Sequence, residues 1–265
     1  MQRRTFLFGV GAFAGGLSAG TRVFSDGETG AEGEVADPRR GTQEIIWSVA
    51  TGVPMAALTF DDGPHPQLTP RILDVLDDHN VKATFMVMGY AAEQHPDLLA
   101  EVVARGHEVG NHTWSHLHVA KTGPQTTRRE IEQGTHVLED IAGVRVRLFR
   151  PPQGRLSETV VRLVASLGQD IVLWSVTRGK KRWRTPNAVA RHVVDEVGPG
   201  DIIDLHDGIG RGTFESGTLL ADTLMARRQA EAAALPRILE QLRDRGLRLG
   251  TVSELRSVRD QAPTT

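Results

Sequence analysis

Short apolar runs alternate with longer segments of helical periodicity through most of this chain, and this alternation constrains the fold more than any other feature. The apolar runs predict strands over 55–60, 83–88, 108–110, 147–150, 170–176, 201–206 and 248–252. The segments between them predict helices over 69–79, 91–105, 126–141, 157–167, 186–197 and 231–245. Strands that alternate with helices form a parallel sheet covered by those helices. The pattern therefore predicts an α/β fold, either a (β/α) barrel of about seven strands or a doubly wound open sheet.

The composition is typical of a soluble globular protein and argues against several functional classes. The 265 residues are 39% apolar and 24% charged, with a formal net charge of -2. Nucleic acid is not an expected partner, because proteins that bind it usually carry a basic surplus. The chain has no cysteine, which excludes disulfides, thiolate metal ligands and a cysteine nucleophile. The first predicted strand is not followed by the glycine pattern of a dinucleotide site, so no nucleotide cofactor is predicted.

Residues 1–20 resemble a bacterial twin-arginine signal peptide. Arg3 and Arg4 precede a Gly/Ala-rich apolar stretch, and a small-x-small cleavage site would lie near Ala19. The stretch is short and glycine-rich for a membrane span, so no stable span is expected after signal cleavage. Residues 21–43 are rich in Gly, Glu, Asp and Ser and predict a disordered linker, which leaves a folded domain over 44–257. We therefore expect an exported protein, extracellular or associated with the cell wall; a disordered N-terminus with two arginines is the alternative.

Polar residues follow the predicted strands at their C-terminal ends, where parallel barrels gather their functional groups. The polar segments after the first, third, fourth, fifth and sixth strands are 61–62, 111–116, 149–154, 174–177 and 204–208. Asp, Gly and Pro are also ordinary turn residues, so the aspartates at 61 and 62 alone would favour a simple turn. Because every one of these strand ends carries polar or aromatic side chains, we expect them to converge on one mouth.

His112 and His116 are candidate metal ligands. If their segment forms one helical turn, both imidazoles lie on the same face, with Cβ atoms about 5–6 Å apart. With a carboxylate from another strand end, such a pair suits a divalent metal and leaves positions open for water and substrate. The pair alone is a weak signal, since surface helices carry it by chance, and His118 is a third candidate nearby.

Four motifs resemble, in order and spacing, those of the polysaccharide deacetylase family, which is the NodB-homology domain of carbohydrate esterase family four. They are TFDDGP at 59–64, HTWSH at 112–116, RPPQG at 150–154 and LHD at 205–207. The resemblance implies a distorted (β/α) barrel and assigns 44–257 as the catalytic domain. It also implies metal-dependent hydrolysis of acetyl groups, as N-acetyl amides or O-acetyl esters, on an acetylated glycan of cell-wall or chitin-like type.

The resemblance implies a role for each matching residue. The metal ligands would be Asp62, His112 and His116, and the metal would be Zn²⁺, with Co²⁺ or another divalent ion as alternatives. Asp61 would act as the base on a metal-bound water, Arg150 would keep Asp61 ionised and oriented, and His206 would protonate the leaving group. From their positions beside these motifs, Pro152, Gln153, Trp174 and Asp204 are expected to contact substrate.

The chain departs from the family pattern at three positions. Gln153 stands where the family usually has an aromatic residue, and Thr177 stands where it has an aspartate that tunes the acid histidine. Asp204 stands where the family usually has a leucine that lines the acetyl pocket. Because strand residues i and i+2 share a face, Asp204 and His206 should both face the mouth. One hypothesis is that Asp204 replaces the missing carboxylate and raises the pKa of His206; the alternative is simply a more polar pocket.

Other interpretations of the same residues lead to different classes of protein. The basic run over 178–184 predicts a solvated loop, or alternatively a surface that attracts an anionic glycan. A catalytically degenerate glycan-binding protein is the second functional interpretation, because of Thr177 and Asp204. A non-haem iron oxygenase is the third, since two histidines and one carboxylate also bind iron(II). In that oxygenase, however, Asp61 and His206 would have no role.

Overall fold

The computed structural model describes residues 23–25, 42–179, 185–210 and 218–261. The predicted signal peptide over 1–20 lies outside these residues. Two parts of the predicted linker over 21–43 are strand: β1 (Val23–Ser25) pairs antiparallel with β2 (Thr42–Ile46). Backbone pairing along the edge of β2 therefore takes the place of disorder there. None of the helices in the described ranges is long and apolar enough to span a membrane.

The remaining strands form one mostly parallel sheet. They are β3 (Met55–Asp61), β4 (Thr84–Val87), β5 (Glu108–Asn111), β6 (Leu148–Phe149), β7 (Asp170–Val172), β8 (Val176–Thr177), β9 (Ile202–His206) and β10 (Arg248–Gly250). The strand order is β1-β2-β7-β6-β5-β4-β3-β9-β8, and β10 also pairs with β3. Within the described ranges, every strand pair other than β1–β2 is parallel.

The sheet curves into the predicted distorted (β/α) barrel, with a break between β2 and β9. The predicted strand over 170–176 is two strands, because the chain changes partners inside it. Leu173 N–H donates to the Ile46 carbonyl at the end of β2, and Ser175 N–H donates to the Ile202 carbonyl in β9. An isolated antiparallel bridge between Ser48 and Asp201 also spans this break. The segment 173–175 therefore bonds to β2 on one side and to β9 on the other, and no continuous ladder joins β2 to β9 among the described residues.

The helices lie between the strands, as predicted, but three differ from the prediction. They are α1 (Thr69–Asp78), α2 (Gly89–Gln94), α3 (Pro96–Ala104), α4 (Pro124–Ala142), α5 (Glu158–Ser166), α6 (Pro186–Glu196), α7 (Leu219–Asp244) and α8 (Val252–Ser257). The single helix predicted over 91–105 is two, because Pro96 lacks an N–H and starts a new helix. Helix α7 begins at Leu219 rather than at residue 231, and α8 was not predicted.

Strand β3 shows how the two faces of the sheet differ. Leu58 and Phe60 belong to the large core cluster that includes side chains of the outer helices. Met55 and Ala57 belong to a separate cluster inside the barrel. Because side chains alternate along a strand, Asp61 lies on the same inner face as Met55 and Ala57. The barrel interior therefore changes from apolar to charged toward the C-terminal end of β3.

Strand β9 repeats this arrangement beside β3. Ile203 and Leu205 join the outer core, whereas Ile202 belongs to the inner cluster. The two-residue period then puts Asp204 and His206 on the inner face. The fold thus carries polar side chains of neighbouring strands to one end of the barrel interior.

Candidate active site

The register of the sheet brings predicted site residues from different strands side by side. Asp61 on β3 is the Cα partner of His206 on β9. Asn111 at the end of β5 is the Cα partner of Phe149 on β6, so His112 and Arg150 leave the sheet at the same level. The carboxyl ends of parallel strands meet at one edge, which explains why motifs far apart in sequence share one site.

Asp62, His112 and His116 form a group that could hold a metal ion. Their ligand atoms all lie within 4.8 Å of one another. Asp62 Oδ1 is 3.6 Å from His112 Nε2 and 3.3 Å from His116 Nε2. The condition considered from the sequence, one helical turn, is not met, because the segment after β5 is a loop in which Thr113 and His116 have φ angles of 70° and 62°. Left-handed backbone conformations, rather than helical periodicity, turn the two imidazoles toward each other.

Helix α4 holds this histidine loop in place. Trp114 N–H donates to the Glu130 carbonyl, and Ser115 N–H donates to the Glu130 carboxylate, each at 2.8 Å. Asn111 Oδ1 lies so close to α4 that a Cβ added at Gly134 would be 2.6 Å from it. A side chain at position 134 would therefore push the loop away from the helix, so we attribute the glycine to this close approach.

The chemistry of the group fits a divalent cation. His112 Nδ1 donates to the Arg150 carbonyl at 2.8 Å, which leaves the Nε2 lone pair directed at the site. Asp62 Oδ1 is buried and has no hydrogen-bond donor among the described residues. A buried carboxylate oxygen without a donor is costly unless a cation satisfies it. The donor set therefore fits a metal with nitrogen and oxygen ligands.

The protonation states of these ligands also favour metal binding. Burial lowers the pKa of His112, which keeps the imidazole neutral. Burial alone would raise the pKa of Asp62, but attraction to His116 and to Arg228 outweighs it and holds that pKa well below its usual range. Metal ligands must be deprotonated, so both groups are in the form that a cation needs.

Arg150 holds Asp61 in a fixed position. The arginine is fully buried, and its Nη1 donates to Asp61 Oδ1 at 2.5 Å and to Thr59 Oγ1 at 2.8 Å. Its Nε and Nη2 donate to the carbonyls of Val172 and Leu173 at 3.1 and 3.0 Å. Because these contacts fix the guanidinium group, Arg150 presents its positive charge to Asp61 in one orientation. We refer to Asp61, Asp62, His112, His116 and Arg150 as the metal side of the site.

Three of the residues predicted to contact substrate lie next to Arg150. Its guanidinium carbon is 5.6 Å from the ring centroid of Trp174. A Cβ added at Gly154 would lie 2.9 Å from the same ring, so Trp174 packs against the turn Pro152–Gly154. Gln153 in that turn is left-handed, with φ of 59°, and its Nε2 is 2.9 Å from His118 Nε2. Their contact with substrate stays a prediction.

The carboxylate that contacts His206 is Glu231, not Asp204. Glu231 Oε2 on α7 is 3.0 Å from His206 Nδ1. Asp204 instead lies 3.5 Å from Arg150 Nη1, and its Oδ1 has no hydrogen-bond partner in the described ranges. The charge of Asp204 raises the pKa of His206, as the hypothesis expects, but the carboxylate that is hydrogen-bonded to the imidazole comes from α7.

Two arginines surround Glu231. Arg178 Nε and Arg228 Nη1 lie 3.0 and 3.1 Å from its Oε1. Arg228 also donates from Nη2 to Asp62 Oδ2 at 3.1 Å, and so connects Glu231 to the metal side. The predicted solvated loop is wrong for Arg178, whose side chain is 12% exposed, while 180–184 lie outside the described residues. We refer to His206, Glu231, Arg228 and Arg178 as the acid side of the site.

The sequence analysis assigned neither Arg228 nor Glu231 to the site. Arg228 lies before the predicted start of the helix at residue 231, and Glu231 is its first predicted residue, with no motif to mark it. Both residues lie on the stripe of α7 that continues with the buried Leu235, Ile238 and Leu242. Spacings of three and four residues define one face of a helix. Charged residues on an otherwise apolar stripe were the available signal, since such residues are rarely buried without partners.

The pKa of His206 reflects these opposing neighbours. Burial and the Arg228 cation lower it, whereas the Glu231 and Asp204 carboxylates and the hydrogen bond to Glu231 raise it, and the net direction is upward. Burial and the charge of Asp61 raise the pKa of Asp204 above the ordinary carboxyl range. The imidazole is thus stabilised in its protonated form, the form that a general acid needs.

The fold and the site together define a class of protein. A parallel barrel with an Asp-His-His metal centre, a second aspartate and a partly buried histidine at its strand ends is typical of a metal-dependent hydrolase. A match to the polysaccharide deacetylase family covers residues 48–172. The peptidoglycan-N-acetylglucosamine deacetylase of Bacillus cereus is 35% identical over 216 residues, which cover 81% of this chain and 93% of that protein.

Another relative and a solved structure are deacetylases as well. The chitooligosaccharide deacetylase of Sinorhizobium fredii is 40% identical over 205 residues, which cover 74% of this chain and 89% of that protein. A crystal structure of the Bc1960 peptidoglycan N-acetylglucosamine deacetylase has a TM-score of 0.71 at 30% identity and covers 83% of this chain and 95% of that chain. This chain belongs to the polysaccharide deacetylase family. It is a hydrolase that removes acetyl groups from a glycan in a metal-dependent reaction.

Proposed function

We propose that this protein hydrolyses the N-acetyl amide of N-acetylglucosamine units in peptidoglycan, with Zn²⁺ as its metal. The observation that carries the proposal is the position of two proton-transfer groups beside one metal centre. Asp61 and His206 are Cα partners on adjacent strands, and Asp61 directly precedes the ligand Asp62. The similarity to the peptidoglycan-N-acetylglucosamine deacetylase of Bacillus cereus supports the substrate class.

On the metal side, Asp61 acts as the general base. When bound, the metal ion would polarise the acetyl carbonyl and lower the pKa of a water molecule to about 7. Asp61 Oδ2 lies 3.6 Å from His112 Nε2, so the carboxylate is next to the metal centre and can accept a proton there. Arg150 donates a hydrogen bond to the other oxygen, Oδ1, and so holds the carboxylate in one orientation.

On the acid side, His206 donates a proton to the leaving nitrogen. Its Nδ1 is engaged by Glu231, so Nε2 is the nitrogen available to the substrate. Protonation of the nitrogen is required because an amide anion is a poor leaving group at neutral pH. With the base and the acid on neighbouring strands, one acetamide can reach both groups.

A groove beside the metal side provides space for neighbouring sugars. It has a volume of about 590 Å³ and is lined by Asp62, His65, Tyr90, His95 and Met225, among others. We assign to it the sugar units that flank the reacting one, because it combines an aromatic ring with polar side chains.

We also propose that the protein is exported through a twin-arginine route, which would take it to its cell-wall substrate. The support is the Arg3-Arg4 pair and the apolar stretch that follows it. Replacement of both arginines by lysine should leave the protein inside the cell, as measured by fractionation and immunoblotting. Unchanged export of that variant would contradict the route.

The test of the function is acetate release from a panel of substrates. The enzyme is stripped with chelator and assayed on peptidoglycan, N-acetylglucosamine oligomers and acetylated xylan, with and without added Zn²⁺ or Co²⁺. The proposal predicts metal-restored release that is fastest on peptidoglycan and strongest with Zn²⁺. Release from xylan alone would overturn the amide assignment, and bound metal without release on any substrate would indicate a glycan-binding protein without turnover.

A further inference from the structure

The carboxylate next to His206 comes from a helix that no motif marks. Glu231 lies on α7, and its side chain is 1% exposed. Its Oε2 accepts the hydrogen bond from His206 Nδ1, while Oε1 faces Arg178 and Arg228. The two oxygens of Glu231 therefore act differently, since one contacts the imidazole and the other is neutralised by cations.

Thr177 does not supply this contact. Its Oγ1 accepts a hydrogen bond from Gly179 N–H at 3.2 Å, within its own loop. Its Cα partner on β9 is Asp204, which is one inner-face position before His206. A threonine hydroxyl carries no charge, so it cannot stabilise an imidazolium as a carboxylate does.

The charged groups that face His206 come from several elements. Asp204 lies on the same strand, Arg178 follows β8, and Arg228 and Glu231 lie on α7. Among them, the structure gives Glu231 a hydrogen bond to the imidazole. The arginines favour the neutral imidazole, and both carboxylates favour the charged one. Glu231 therefore acts on His206 through a directed hydrogen bond, whereas Asp204, Arg178 and Arg228 act on it through their charge.

The geometry points to Glu231 as the positioning residue for His206, serving in this chain where Thr177 cannot. It accepts Nδ1–H, fixes the ring orientation and leaves Nε2 to carry the proton to the substrate. Arg228 donates hydrogen bonds to both Glu231 and Asp62, so the orientation of His206 is coupled to the position of the metal side. This inference rests on the proposed role of His206 as the general acid.

A purely structural role for Glu231 makes a different prediction. If the residue only neutralises Arg178 and Arg228, its replacement will lower stability but leave the imidazole of His206 unchanged. The experiment must therefore measure the tautomer and the pKa of the His206 imidazole in the metal-free protein, and not activity alone.

The first experiment is nitrogen NMR of the histidine side chains in metal-free protein. Glu231→Gln keeps the shape of the side chain and removes its charge. We expect the His206 tautomer with Nδ1–H to lose population and the His206 pKa to move downward. Glu240→Gln is the matched control, since Glu240 lies on the same helix with a side chain that is 56% exposed. An unchanged His206 spectrum in Glu231→Gln would overturn the inference.

The second experiment is a pH–rate profile with added metal. A general acid must be protonated, so the rate falls as the pH rises through the pKa of His206. Glu231→Gln should lower kcat by roughly 10–100-fold, leave KM and metal content unchanged, and move the alkaline limb to lower pH. Glu231→Asp should recover part of kcat. An alkaline limb that moves in Asp204→Asn but not in Glu231→Gln would overturn the inference.

Folding of the variant is controlled by a second substitution. Glu231→Gln leaves two buried arginines with less counter-charge, so Glu231→Gln with Arg178→Gln removes one cation together with the anion. The double variant should show the same change at His206. If the NMR change occurs but wild-type protein releases no acetate from any substrate, the proposed function fails while the positioning of His206 by Glu231 stands.

Discussion

The metal side and the acid side of the site differ in how they are assembled. On the metal side, Asp62 directly follows β3 and His112 directly follows β5, so the ends of two parallel strands deliver the ligands. On the acid side, His206 ends β9, but its partner Glu231 lies 25 positions further along the chain, on α7. Strand ends thus determine which groups bind the metal, whereas helix packing determines how the acid is oriented. The comparison explains how a chain with Thr177 can still supply a carboxylate to its acid histidine.

The largest effect should come from loss of a metal ligand. His112→Ala should reduce metal affinity by more than the roughly 10–100-fold that loss of an orienting partner costs, and acetate release should disappear with the metal. Metal content by mass spectrometry and activity are measured on the same samples. His136→Ala, at a side chain that is 77% exposed, is the control. Full metal content in His112→Ala would contradict the assignment.

Loss of the acid should separate the two sides. His206→Ala should lower kcat by roughly 100- to 10,000-fold, while metal content stays at the wild-type level. The reason is that His206 transfers a proton but is not one of the metal ligands. Loss of metal from this variant would show that the two sides are not distinct.

A smaller effect is expected at Asp204. The carboxyl group stabilises protonated His206 without a hydrogen bond to it, so Asp204→Asn should move the alkaline limb of the pH–rate profile downward. The shift should be smaller than in Glu231→Gln. A larger shift in Asp204→Asn would make Asp204 the main electrostatic partner of the acid.

A last effect concerns stability rather than rate. Burial raises the pKa of Asp207 to about 7, even though Thr69 Oγ1 donates to its Oδ2 at 2.7 Å. A carboxyl group whose folded pKa is raised contributes stability below its unfolded pKa of about 3.9. That contribution is lost as the pH rises through the folded pKa of about 7. Asp207→Asn should therefore reduce the decline in unfolding free energy between these values, measured by denaturant titration of metal-free protein.

The sequence predicted those features of the fold and the site that depend on residues close together in the chain. The strand ends and the motifs could be read from the residues themselves, and the sharing of one face by Asp204 and His206 follows from the two-residue period of a strand. It was less informative where backbone strain or distant packing decides the result. Nothing in the sequence around His112 and His116 indicated left-handed residues in place of a helical turn. Arg228 was missed because periodicity placed the start of α7 at residue 231, and Glu231 was missed because no local motif marks a helix residue that packs on a distant strand.

The most direct test of the account titrates Zn²⁺ into chelator-stripped enzyme and follows bound metal and acetate release from peptidoglycan in the same samples. Release should rise in step with bound metal and stop rising when the centre formed by Asp62, His112 and His116 is filled. No such rise is expected in His112→Ala. Release that is unaffected by stripping, or a fully loaded enzyme that releases no acetate, would contradict the claim that this site is a metal-dependent deacetylase centre.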